Sequence, residues 1–209
     1  MTTPDAARRT AKEQEILAAA AKLFREQGYA STSMRDIASA LGGNHASNHY
    51  YFGTKAAVLF AICDKATQGV ALEVSQLPPG LSPIDELSAL VRIGVGEAAR
   101  SPDYTAVFFQ ERLWLERHLG PEKSETIRAR QKVFRDRVCT VVATGTAQGV
   151  FADLDPVLVL ELIVGSSAWV HQRPSDGEPD VAVLDQAVTA VLTGVVTARA
   201  QLAREGADR

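Results

Sequence analysis

Cysteine is scarce in this 209-residue chain, where Cys63 and Cys139 are the only two. Two isolated thiols without C-x-x-C spacing exclude a disulfide-stapled miniprotein and a multi-cysteine metal centre, and they suit a reducing compartment. Aromatic residues make up only 6% of the chain, with two tryptophans. Long apolar runs are missing too: no uncharged stretch reaches the ~20 residues of a membrane span. The segment Met1–Arg9 carries basic residues with no apolar core behind them, so a secretory leader is not expected and the expected location is cytoplasmic. Neither sign of charge dominates. The formal net charge is -3, which excludes a protein that is strongly basic throughout.

What is present is the composition of a folded globular protein, 46% hydrophobic and 22% charged. The charge is unevenly spread. Residues 1–55 hold seven Lys/Arg against five Asp/Glu, and residues 56–209 hold 15 against 20, a mildly basic head on an acidic body.

Nearly every segment between Pro and Gly has helical period, and no alternating run bounded by hairpin turns occurs, so the expected class is all-α. A first helix over about 6–27 carries Ile16, Leu17, Ala20, Leu23 and Phe24 in one stripe and stops at Gly28. Ser31-Thr32-Ser33 offers three N-caps for a short second helix ending near Leu41. Gly42-Gly43-Asn44 then turns the chain into a third short helix, from His45 to about Tyr51. Gly53 closes it and Thr54 caps a longer fourth, with Val58, Leu59, Ile62, Ala66 and Val70 on its apolar face. Beyond Pro78-Pro79-Gly80, helices are expected at about 83–100, 102–118, 121–148, 155–171 and 181–203, nine in all.

Two short helices joined by a Gly-containing turn, Ser33 to Phe52, have the dimensions of a helix-turn-helix. The third helix is small and polar where a buried helix would be apolar: Asn44, His45, Ser47, Asn48 and His49 can hydrogen-bond base edges or phosphates. Lys55 follows at the start of the next helix, where an ammonium and helix amides can meet one phosphate. His45 and His49 stand four apart, but no Cys, Glu or third His completes a zinc site, so no metal is expected.

Gly28-Tyr29, Thr32-Ser33-Met34-Arg35-Asp36-Ile37-Ala38, Leu41-Gly42 and Tyr50-Tyr51-Phe52-Gly53-Thr54-Lys55 occur in order after Ile16-Leu17-Ala18-Ala19-Ala20 and Leu23-Phe24. Over about residues 10–62 this resembles the amino-terminal domain of the TetR family of transcriptional regulators. The resemblance implies a nine-helix, two-part protein: a helix-turn-helix head over 1–52 and an effector-binding, dimerising body over 53–209. It implies that Thr32, Ser33, Tyr50 and Lys55 meet phosphates and that Asn44, His45, Ser47 and His49 face bases or backbone. The implied partners are a palindromic double-stranded DNA operator, a small-molecule effector and a second copy of the chain. Repression is the implied action.

In the body, 102–137 mixes large apolar and polar groups, and Cys63, Phe108, Phe109, Arg112, Trp114 and Trp169 are candidates to line an effector chamber. A looser similarity, through Pro102-Asp103-Tyr104, Glu111-Arg112, Gly149-Val150-Phe151, Gly165 and Trp169, is to the acyl-CoA-sensing branch of the family. An apolar drug or aromatic metabolite is the competing effector class. Arg128, Lys132 and Arg135 form a basic stripe better explained as a solvated helix face than as an anion site. Residues 155–171 and 181–203 are apolar almost all round, with Leu160, Ile163, Leu184, Val188, Val191 and Val195 as candidate dimer contacts. No catalytic arrangement and no cofactor motif can be assembled. The rival reading is a DNA-independent ligand-binding module, or an enzyme using Glu111, Arg112 and His118.

Overall fold

The computed structural model describes residues 4–42, 51–172, 185, 186, 188–190, 192, 193 and 196. The expected all-α class is observed. The complete helices are α1 (Pro4–Gln27), α2 (Met34–Ala40), α3 (Lys55–Ser75), α4 (Pro83–Arg100), α5 (Pro102–Glu111), α6 (Leu115–Leu119), α7 (Pro121–Ala147) and α8 (Pro156–Gln172). No strand occurs among the described residues. The expected third helix lies outside the described residues except for Tyr51, which is helical. Of the expected last helix, the described residues between 185 and 196 are helical as well.

Local chemistry explains most boundaries. Gly28 ends α1 at φ +85°, a conformation glycine adopts without a Cβ penalty, and its amide donates to Phe24 O at 2.9 Å. Ser82 caps α4, its hydroxyl accepting from the Asp85 amide at 3.2 Å, and Pro83 fills the first helical position. One expectation is corrected. The segment 102–118 is two helices, broken at Arg112-Leu113-Trp114, where the Trp114 amide closes a turn on Glu111 O at 2.8 Å.

The chain divides into two compact units: Met1–Ala66 with Asp103–Arg128, and Thr67–Pro102 with Ala129–Arg209. The first is built on Ile16, Leu17, Ala20 and Phe24 of α1, Met34 and Ile37 of α2, Val58, Leu59, Ile62 and Cys63 of α3, and Val107, Phe108, Leu115 and Ile127. The predicted stripes of α1 and α3 are buried except for Leu23 and Val70, which are partly buried. In the second unit α4 and α8 pack along each other around Leu90, Val91, Val95, Phe134, Val138, Val159, Leu160 and Ile163. No helix among the described residues is long and apolar enough to cross a membrane.

Candidate nucleic-acid interface

The start of α2 is held by a reciprocal cap. Ser33 Oγ accepts from the Asp36 amide at 3.2 Å and donates to Asp36 Oδ2 at 2.7 Å, while the Ser33 amide donates to the same carboxylate oxygen at 2.7 Å. These bonds hold the Asp36 carboxyl below its usual range. Thr32 is 1% exposed and its hydroxyl donates to Gly28 O at 3.0 Å, closing the turn between α1 and α2. Ser33, by contrast, is exposed. Met34, Ile37 and Ala38 are the buried face of α2.

Lys55, first residue of α3, turns its ammonium onto the turn before α2. Nζ donates to Tyr29 O at 2.8 Å, Thr32 O at 2.8 Å and Ala30 O at 3.3 Å, and it stands 4.4 Å from the centroid of the Tyr29 ring. Burial lowers its pKa, opposed by the charges of Glu111 and Asp36. The Tyr29 ring also meets Phe24 edge-on at 5.2 Å and His118 at 4.7 Å. His118 Nε2 lies 3.2 Å from Glu111 Oε2. Burial raises the Tyr29 pKa, with a smaller contribution from Glu111.

Of the predicted DNA-facing residues, the structure brings Thr32, Ser33 and Lys55 to this one turn. Asn44, His45, Ser47, His49 and Tyr50 lie outside the described residues. Of the predicted chamber residues, Cys63 and Phe108 are buried in the first unit's core, with Phe109 packed against it. The Phe108 and Phe109 rings are 5.4 Å apart, and the Arg112 guanidinium stands 5.7 Å from the Phe109 centroid. Trp114 is 53% exposed and Leu113 81% exposed, so the turn that breaks the helix carries them to the surface. Trp169 is placed on α8 by its backbone, and its side chain lies outside the description. Among the candidate dimer residues, Leu160 and Ile163 are buried in their own unit and Val188 packs against the same core. Leu184, Val191 and Val195 lie outside the described residues. The stripe cations pair locally: Arg128 with Glu125 and Glu116, and Lys132 and Arg135 with Asp136.

Glu111 and His118, two of the three residues of the rival enzymatic reading, do come together, with the His118 ring against that of Tyr29. Tyr29 itself was missed by sequence reasoning. Phe24 of α1 is a local neighbour, but Lys55 of α3 and His118 of α6 are distant in the sequence, and nothing local signals them.

Two family profiles match the chain: residues 16–62 match bacterial regulatory proteins of the tetR family, and residues 80–196 match the tetracyclin repressor-like C-terminal domain. The chain belongs to the TetR family. As a member of that family it is a transcriptional regulator. Solved structures with the fold of this TetR-family chain include a bacterial regulatory protein in the tetR family from Rhodococcus RHA1, at TM-score 0.76 and 22% identity over 88% of this chain and 96% of that one. The ketosteroid transcriptional regulator KstR2 of Mycobacterium tuberculosis aligns at TM-score 0.75 and 22% identity, over 89% and 95%. AibR in complex with isovaleryl coenzyme A and operator DNA aligns at TM-score 0.70 and 23% identity, over 87% and 97%. No curated protein sequence matches the chain.

Proposed function

We propose that this TetR-family regulator is a cytoplasmic repressor that binds a palindromic operator as a homodimer and is released by a small apolar or acyl-CoA-type effector. The observation that carries the DNA-binding part is the capped α2. It is packed on α1 through Met34 and Ile37 and followed at once by the Gly42 turn, φ +62°, and the polar segment Asn44–Tyr50. That is the supporting frame a recognition helix needs. In this reading residues 1–52 are the head and 53–209 the body. Ser33, Asn44, His45, Ser47, His49 and Tyr50 face the DNA, and Thr32 shapes the turn that presents Ser33.

The homodimer is supported by α8. Val157, Leu158 and Leu162 on one of its faces are 50–54% exposed, and at Gly165 on that same face an added Cβ would meet nothing within 4 Å. An isologous pairing would cover this face and set two recognition helices about one DNA turn apart, ~34 Å, or a multiple of it. An effector shifts the balance only through its different affinity for the spaced and mis-spaced states. The effector class rests on the Pro102-Asp103-Tyr104 and Gly149-Val150-Phe151 likeness and on AibR, whose solved complex holds isovaleryl coenzyme A with operator DNA.

The test is binding to the DNA upstream of the chain's own coding region at fixed salt, with and without a panel of acyl-CoAs and apolar drugs. Sequence-specific binding abolished by one compound is expected. An absence of binding at low salt overturns the reading. Sedimentation of Leu158→Glu/Leu162→Glu checks the dimer: the double variant is expected to run as a monomer where the parent runs as a dimer.

A further inference from the structure

The ammonium of Lys55 converges on three main-chain carbonyls of a single turn, Tyr29, Ala30 and Thr32, at 2.8, 3.3 and 2.8 Å. A lysine ammonium has three protons and no acceptor, so these carbonyls take its full donor capacity. The geometry points to Lys55 as a positioning residue for DNA recognition, a latch between the start of α3 and the turn before α2 that holds the recognition segment in place without itself gripping a phosphate.

This inference rests on the operator-binding reading above. The Tyr29 and Thr32 carbonyls are partly buried, where the loss of a donor is costly, while the Ala30 carbonyl is exposed and can turn to water. Swinging Nζ out to a phosphate would strip the two partly buried carbonyls of their donor and also remove the cation from the Tyr29 ring, 4.4 Å away. The turn cannot easily compensate. Its hydroxyl at Thr32 is already bonded to Gly28 O, and the Thr32 amide to Tyr29 O at 3.3 Å. The described chain on either side of residues 43–50 is thus held: α2 by the Ser33–Asp36 cap, and the start of α3 by the Lys55 latch. Any motion of the first turn of α3 would pull on the Tyr29–Thr32 main chain.

A latch and a phosphate grip differ in measurable ways. A lysine that neutralises one phosphate contributes about 0.9 to the slope of log affinity against log salt, and arginine replaces it well because its guanidinium binds phosphate. A latch leaves the slope unchanged, and arginine fails because a planar fork cannot aim at three converging carbonyls. Operator affinity would be measured across a salt series for the full-length parent, Lys55→Met and Lys55→Arg. Both variants are expected to bind about tenfold more weakly, with the parent's slope. A slope reduced by about 0.9 in Lys55→Met, or parental affinity in Lys55→Arg, would overturn the latch. A parent that binds no DNA at low salt fails the operator reading itself, and the latch with it.

Because either variant can misfold, the parent alone supplies a second readout. In reductive methylation with formaldehyde and cyanoborohydride, Lys55 is expected to react much more slowly than the exposed Lys22, both without DNA and with it. Rapid labelling in the free protein that the operator suppresses would overturn the latch.

Discussion

Arg25 and Asp103, 78 residues apart in sequence, meet at 2.8 Å through Nη1 and Oδ1. The guanidinium sits in the last turn of α1 and the carboxylate in the first turn of α5. Each charge therefore lies at the helix end that favours it. Gln110 adds a bond from the far end of α5 to Arg25 O at 3.4 Å. Both side chains keep about a third of their surface in water, so solvent screening reduces the pair to about 1 kcal/mol of coupling. A double-mutant cycle with Arg25→Met and Asp103→Asn, read by urea unfolding, should return that coupling. It should fall on raising the salt, and additive single effects would reduce the contact to incidental proximity.

The Ser33–Asp36 cap yields a prediction about acid. The carboxyl's pKa is lowered in the folded chain, first by the Ser33 hydroxyl, next by the Ser33 amide and to a smaller extent by Arg35 and Lys55. A carboxylate depressed in this way stabilises the fold above its unfolded pKa of about 4, and the contribution disappears as pH drops through the folded value. The thermal midpoint of the parent should therefore exceed that of Asp36→Asn at pH 6, and the gap should narrow as pH falls below the unfolded value of about 4. Ser33→Ala removes the cap at any pH and should cost about 1 kcal/mol. A pH-independent gap between the parent and Asp36→Asn would show that the carboxylate's charge is not what matters.

The capped ends were legible because capping is local. Gly28, Ser33, Pro102 and Pro121 each act on their own turn, and the helices begin or end at them as the sequence predicts. The break at 112–114 was not legible. From Asp103 to Leu119 there is neither Pro nor Gly, and the apolar spacing reads as one helix. What decides is tertiary: the turn buries Leu115 to 4% exposure and leaves Leu113 at 81%, a choice that depends on the core beneath. The bonding of the Lys55 ammonium to main-chain carbonyls was hidden for the same reason. A lysine just after Gly53-Thr54 reads as a phosphate ligand, and the carbonyls it meets lie some 25 residues earlier in the chain.

Gly145 makes a sharper demand on packing. A Cβ built there would fall 2.2 Å from Phe151 Cδ2 and 2.4 Å from Cε2. Phe151 is 4% exposed in the second unit's core, and its amide donates to Gly145 O at 3.0 Å, so the ring cannot swing away freely. Gly145→Ala should cost about 2 kcal/mol or more, against the slight gain that alanine usually brings to a helix interior. Pairing it with Phe151→Leu should recover part of the loss in denaturant unfolding. Full parental stability in the single variant would mean that the ring has another place to go.

Cys63 is 0% exposed, and burial, with smaller contributions from Glu111 and Asp64, pushes its thiol up to about 12. Since the thiolate is the nucleophile, only about one molecule in ten thousand would present it at pH 8. Cys139, partly exposed on α7, has no such shield. Iodoacetamide at pH 8 should therefore modify Cys139 first, and Cys63 only as fast as the first unit opens, with mass spectrometry of the peptides resolving the two. The same shift carries a linkage sign. Below the unfolded thiol's pKa, near 9, folded and unfolded chains are both neutral at this site and the group contributes nothing pH-dependent. Between about 9 and 12 only the unfolded chain loses the proton, so stability drains away as pH rises. Replacing Cys63 with alanine should flatten that alkaline decline while lowering stability at neutral pH through the lost packing. If the parent and variant decline in parallel above pH 9, other groups must drive alkaline unfolding.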